Sequence, residues 1–155
     1  MESWKTALQR GMVSGTTSSL LSTIALGALG KGENNSLFAP TNAISHWLWG
    51  DKAAVQNKAS LRYTLIGYAI HHASATFWAV LFEKVMGRRL DRKDVALTLT
   101  AATAASAVAC FVDYQLTPHR LQPGYEMRLS KPSLALVYGA FGLGLAAGAL
   151  LCRRD

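Results

Sequence analysis

The sequence predicts an all-α integral membrane protein: a four-helix antiparallel bundle, with an outer-face interfacial helix between spans 1 and 2. Three observations carry that expectation. Four windows, Gly11 to Gly30, Tyr63 to Phe82, Val95 to Val112 and Ser133 to Cys152, contain no fixed charge. Each is of spanning length, because about twenty helical residues rise about 30 Å, the thickness of a bilayer's hydrocarbon core. A water-soluble bundle would place charges on one face of every helix, and these windows carry none. Hydrophobic residues are 50% of the 155, yet mean hydropathy is only +0.17, as apolar spans diluted by polar connections would give. The natural reading is one transmembrane domain over residues 1–155.

The first span has a basic start, like a leader peptide. Its core is diluted by Ser14, Thr16, Thr17, Ser18, Ser19, Ser22 and Thr23, which favours a retained helix. Gly11, Gly15, Ser19, Thr23 and Gly27 recur every fourth residue and form a small-residue packing stripe. The link from Lys31 to Arg62 contains Asn34 to Gly50, too short and polar to cross. Ile44, Trp47 and Leu48 share a helical face there, with Trp49 beside them, so the segment reads as an interfacial helix interrupted by Pro40. The second span, bounded by Arg62 and Glu83, is bulkier. The third repeats the small-residue pattern at Ala101, Ala105 and Ala109. The link from Asp113 to Pro132 holds Pro118, Pro123 and Gly124, which forbid a long helix, so it folds back over the bundle mouth. The fourth span carries Ala140, Gly144 and Gly148 as its packing stripe.

The net charge of +7 is orientation rather than nucleic-acid affinity. Lys84, Arg88, Arg89, Arg92 and Lys93 crowd the link between spans two and three, with Lys5 and Arg10 at one terminus and Arg153 and Arg154 at the other. Nine of the sixteen basic residues thus fall on one side, which places both termini in the cytoplasm. The expected partners are the bilayer, anionic headgroups at the 84–93 basic loop, and a second copy or a larger membrane complex. Cys110 and Cys152 end different spans on opposite faces, roughly 25 Å or more apart by helix rise, too far for a disulfide.

Candidate chemistry centres on His71 and His72, near the midplane of the second span. Ionisable groups at that depth need a polar partner. Ile66, Ile70, Phe77, Val80 and Leu81 cluster on the side assigned to lipid; the opposite direction falls between the histidines, with Tyr68, Thr64, Ala75 and Ala79. Hydroxyls of the first and third spans, including Ser106 on the face Thr98, Ala102, Ser106, Ala109 and Asp113, are the expected partners. One reading makes the pair structural. A second runs a proton or ion path from the histidines through Tyr68 and hydroxyls to Glu83, which lies about 16 Å of rise from His72 and needs intermediates. A third binds haem or metal; adjacent imidazoles point about 100° apart, so a midplane bis-histidine haem requires a dimer. A second polar group, His46, Asp113, His119, Arg120 and Glu126, falls on the outer links, where Arg120 and Arg128 suit an anion or headgroup and Arg120 also suits an ion pair closing the mouth. Its spacing matches no metal motif, and no metal ligand set or catalytic residue is assigned.

The opening Arg10-Gly11-Met12-Val13-Ser14-Gly15, the tryptophan-bearing outer link and the histidine-bearing, aromatic second span resemble the YagU-type bacterial inner-membrane proteins over the first half of the chain. The outer link is shorter here. That family has a loosely defined role and no established chemistry, so the resemblance implies a bacterial inner membrane and transfers no site residue. The expected function is a non-enzymatic accessory, assembly or structural membrane subunit. The alternatives are a small proton- or ion-coupled channel or transporter, and a haem- or metal-binding membrane protein.

Overall fold

The computed structural model describes residues 1–153; Arg154, counted above among the inward charges, lies outside them. Six α-helices form, joined by 3-10 and π-helical turns, with no strand among the described residues. They are α1 (Trp4–Asn34), α2 (Ala39–Ile44), α3 (His46–Trp49), α4 (Ile66–Leu90), α5 (Val95–Phe111) and α6 (Lys131–Leu151). A π-helical turn over Leu61–Leu65 leads into α4, and another over Val112–Leu116 prolongs α5. The resulting stretches Trp4–Asn34, Leu61–Leu90, Val95–Leu116 and Lys131–Leu151 are each long and apolar enough to cross a membrane. Each holds one charge-free window, the last except for Cys152. Ile24, Phe77, Val108 and Leu143 are exposed on them, an arrangement costly in water and unremarkable in lipid.

Local chemistry sets the helix ends. The Ser3 hydroxyl accepts the Thr6 N–H at the start of α1, and the chain leaves α1 through Asn35, a residue that tolerates its φ of 55°. Ser60 accepts the Tyr63 N–H while Thr64 accepts the Ser60 N–H, a reciprocal cap ahead of α4. Asp94 caps α5 by accepting from Leu97. Pro132 occupies the first turn of α6, where no N–H partner is needed.

The chain divides into two compact units. The first comprises Met1–Ser22, His72–Ala109 and the stretch from Tyr138 onward; the second comprises Thr23–His71 and Cys110–Val137.

In the first unit α1 meets neighbours on two sides. Gly11, Gly15 and Ser19 face Val80, Thr76 and His72 of α4 in turn, and a Cβ on Gly15 would stand 2.6 Å from the Thr76 Cα. On the other side Ser14 and Ser18 face Gly148 and Gly144 of α6, where an added Cβ would stand 2.4 Å from each serine Cα. Backbones come this close only where side chains are absent or small. Val80, assigned to lipid by helical periodicity, therefore belongs to the α1 contact, because Gly11 leaves it room. Thr98, Ala102, Ser106 and Ala109 form the buried face of α5.

The second unit corrects the expectation of an interfacial helix. The segment is two short helices, and all six residues of α2 are buried. Pro40 lies in the first turn of α2 instead of interrupting it. The Ser36 hydroxyl accepts the Ala39 N–H and donates to the Asn57 carbonyl. Fully buried Asn42 donates to the carbonyls of Gln56 and Lys58 at 3.0 Å and accepts from Thr64 at 2.6 Å. These bonds draw the segment into protein. Glycines wall it in: a Cβ on Gly30 would meet the Pro40 ring, one on Gly67 the Thr41 carbonyl, and one on Gly124 the Ala43 carbonyl. Gly124 has φ +97°, a left-handed conformation that only glycine adopts readily. Trp47 and Trp49 turn their indole N–H groups to the carbonyls of Gln122 and Arg62, and Leu48 remains exposed.

Candidate functional site

Glu83 and the histidines were the expected inner and central members of one polar site; the structure gives each its own partners. In the first unit, His72 Nδ1 lies 2.7 Å from the Ser19 hydroxyl, so α1 supplies the hydroxyl partner. The same hydroxyl lies 3.0 Å from the Thr16 carbonyl. A hydroxyl has one proton, so when Ser19 donates to Thr16 the Nδ1–H of His72 donates to Ser19. Ser106 is buried and donates to the Tyr138 carbonyl of α6 at 2.6 Å, a different task from the one expected of it.

Glu83 has no exposed surface and sits in a charge cluster. Arg153 grips it bidentately, with Nη2–Oε2 at 2.7 Å and Nη1–Oε1 at 3.2 Å, and Ser14 donates to Oε1 at 3.3 Å. The remaining guanidinium donors reach Ala149 O at 2.8 Å, Gly87 O at 3.1 Å and Asp91 Oδ1 at 3.0 Å. All five donors are engaged. Burial pushes the Arg153 pKa down, but hydrogen bonding and charge from Glu83, then Asp91, more than offset it and hold the guanidinium above its ordinary value. Asp91 also accepts from Arg10 at 2.8 Å, and Arg10 reaches Glu2 at 3.5 Å.

In the second unit, His71 meets the buried Tyr125 ring edge-on, centroids 6.2 Å apart, and Tyr68 is half-buried. The outer polar residues divide among separate tasks. His46 is buried and Nε2 donates to the Gln122 carbonyl at 2.9 Å. Glu126 accepts from the Gly124 N–H at 2.7 Å and from the Tyr114 hydroxyl at 3.3 Å. Asp113 lies half-buried on the π-helical turn, while His119 and Arg120 are exposed. Among the described residues no three His, Cys, Asp or Glu side chains are placed to hold a metal ion. Thr23 lies in this unit with its hydroxyl buried and unbonded, and Gly27 faces the Leu37 carbonyl.

Sequence reasoning missed Glu33 and Asn42 and misjudged the tasks of Arg128, read as suited to an anion or headgroup, and Arg153, read only as an orienting charge. Arg128 donates to Asn34 and Asn57 at 2.7 Å and to the Ala54 carbonyl at 2.5 Å. Glu33 accepts from Ser130 and Ser133 at the start of α6. Asn42 carries no helical-period signal. Arg153 did leave one: it follows the fourth apolar window as Glu83 follows the second, and opposite charges ending two spans are natural partners.

No protein-family model, curated protein or solved structure matches the chain.

Proposed function

We propose that the chain is a non-enzymatic membrane module, an accessory, assembly or structural subunit of four antiparallel spans with both termini cytoplasmic. The YagU-type resemblance adds a bacterial inner membrane. The antiparallel reading is supported by the register of α1 on α4, where residue numbers rise on one helix as they fall on the other.

One observation carries the structural reading over a proton path: Glu83, the inner end of that path, is fully buried and held by Arg153 and Ser14. Two further serine hydroxyls of α1 are also turned aside. Ser18 donates to the Ser14 carbonyl and Ser22 to the Ser18 carbonyl, so their protons bond to backbone instead of passing along a chain. A buried, satisfied polar network rigidifies a bundle.

The test is proton flux in liposomes containing the purified chain and a trapped pH dye. Under an imposed potential, the expected flux is that of empty liposomes, unchanged by His71→Ala or His72→Ala. Flux carried by the wild type and abolished by either substitution would replace this reading with transport. A Soret band or stoichiometric metal in the same preparation would replace it with a cofactor protein.

A further inference from the structure

In the first unit the acidic side chains near the end of α4 are already committed. Glu83 is held by Arg153, Asp91 by Arg153 and Arg10, Glu2 by Arg10, and Asp94 caps α5. Lys84 is turned to the Glu2 carbonyl and stands 4.6 Å over the Trp4 ring. On the end of α4 and the link after it, Arg88, Arg89 and Arg92 remain. All three are exposed, and among the described residues no carboxylate pairs with them. Trp4 is 58% exposed, and Val85 and Val95 are exposed on the flanking helices. Three unneutralised guanidinium groups thus adjoin exposed apolar and aromatic side chains where a helix of membrane-crossing length ends.

We infer that Arg88, Arg89 and Arg92 form a binding surface for anionic phospholipid headgroups, with Trp4 seated among the acyl-chain necks. This rests on the membrane-spanning reading above and names the partner of that end of the protein. Each guanidinium offers a planar fork matched to phosphate oxygens. A bilayer supplies both requirements of the patch, fixed negative charge and an apolar layer directly beneath it. Arg10 and Arg153, basic in sequence, belong to the internal cluster and do not contribute.

Fluorescent-tailed phosphatidylglycerol, titrated into the full chain in dodecyl maltoside micelles, tests this against the phosphatidylcholine analogue. Phosphatidylglycerol binds more tightly, and each arginine accounts for about fivefold, on the order of a hundredfold for three. Arg88→Gln, Arg89→Gln and Arg92→Gln together abolish the preference; Lys31→Gln, Lys52→Gln and Lys58→Gln together, the same charge removed from the second unit, preserve it. Equal loss in both triple variants means net charge alone acts and overturns the site. Displacement by equimolar inorganic phosphate also overturns it, because a free anion is then sufficient. Carbonate-resistant insertion into phosphatidylcholine vesicles is measured alongside: failure to insert removes the membrane reading itself, whereas insertion without lipid preference removes only this proposal.

Discussion

Replacing Arg153 with methionine isolates the most buried ion pair among the described residues. The substitution withdraws both guanidinium bonds from Glu83 and leaves a carboxylate with no exposed surface facing only the Ser14 hydroxyl at 3.3 Å. Breaking one side of a buried ion pair costs about 3–5 kcal/mol. Glu83→Leu is the milder change, because Arg153 keeps Asp91 at 3.0 Å, and Asp91 is 45% exposed and already paired with Arg10. Glu83→Leu with Arg153→Met removes both charges together and returns to within about 2 kcal/mol of wild type, since apolar replacement of a whole buried pair is often neutral. Reversible unfolding in mixed dodecyl maltoside and dodecyl sulfate micelles, followed by helical circular dichroism, yields the three free energies. The ordering Arg153→Met, then Glu83→Leu, then the double variant is the signature of the pair. An Arg153→Met protein within about 1 kcal/mol of wild type, or two single effects that simply add, would refute the reasoning.

Other substitutions test the packing. Gly148→Ala places a methyl 2.4 Å from the Ser14 Cα and is expected to cost about 1–3 kcal/mol, whereas Gly139→Ala on the same helix meets nothing within 4 Å and should be neutral or slightly stabilising; the same unfolding assay compares them. Ser19→Ala removes the His72 bond and should cost about 0.6–1.7 kcal/mol, with the His72 imidazole resonances shifting in selectively labelled NMR spectra. Arg128→Lys keeps the charge but cannot span Asn34, Ala54 and Asn57 together, so limited proteolysis should cut the stretch after α3 faster than in wild type.

The long helices were legible because a spanning segment announces itself through one-dimensional statistics: length, apolarity and missing charge. Their ends were legible only approximately: the charge-free windows open at Tyr63, Val95 and Ser133, and the residues that start the helices, Ser60, Asp94 and Pro132, stand one to three positions earlier. The burial of α2 was not. Ile44, Trp47 and Leu48 define an apolar face equally suited to lipid or protein, and the deciding groups are the side chain of Asn42 and the glycines at 30, 67 and 124. The histidines illustrate the same limit. Helical periodicity turned both rings from lipid and pointed to hydroxyl partners, but Ser19 for His72 and Tyr125 for His71 depend on contacts across the chain. Glu83 and Arg153 are seventy residues apart, beyond any spacing argument confined to one helix.

The enclosure of α2 imposes an order on the protein's birth. A chain emerges from its amino end, so α2 is made after Gly30 but before Gly67, and about eighty residues before Gly124. During that interval two of its three walls do not exist. The packing around α2 is therefore complete only once the link after α5 has been synthesised, which makes the enclosure of this segment a late, long-range event in the folding of the chain.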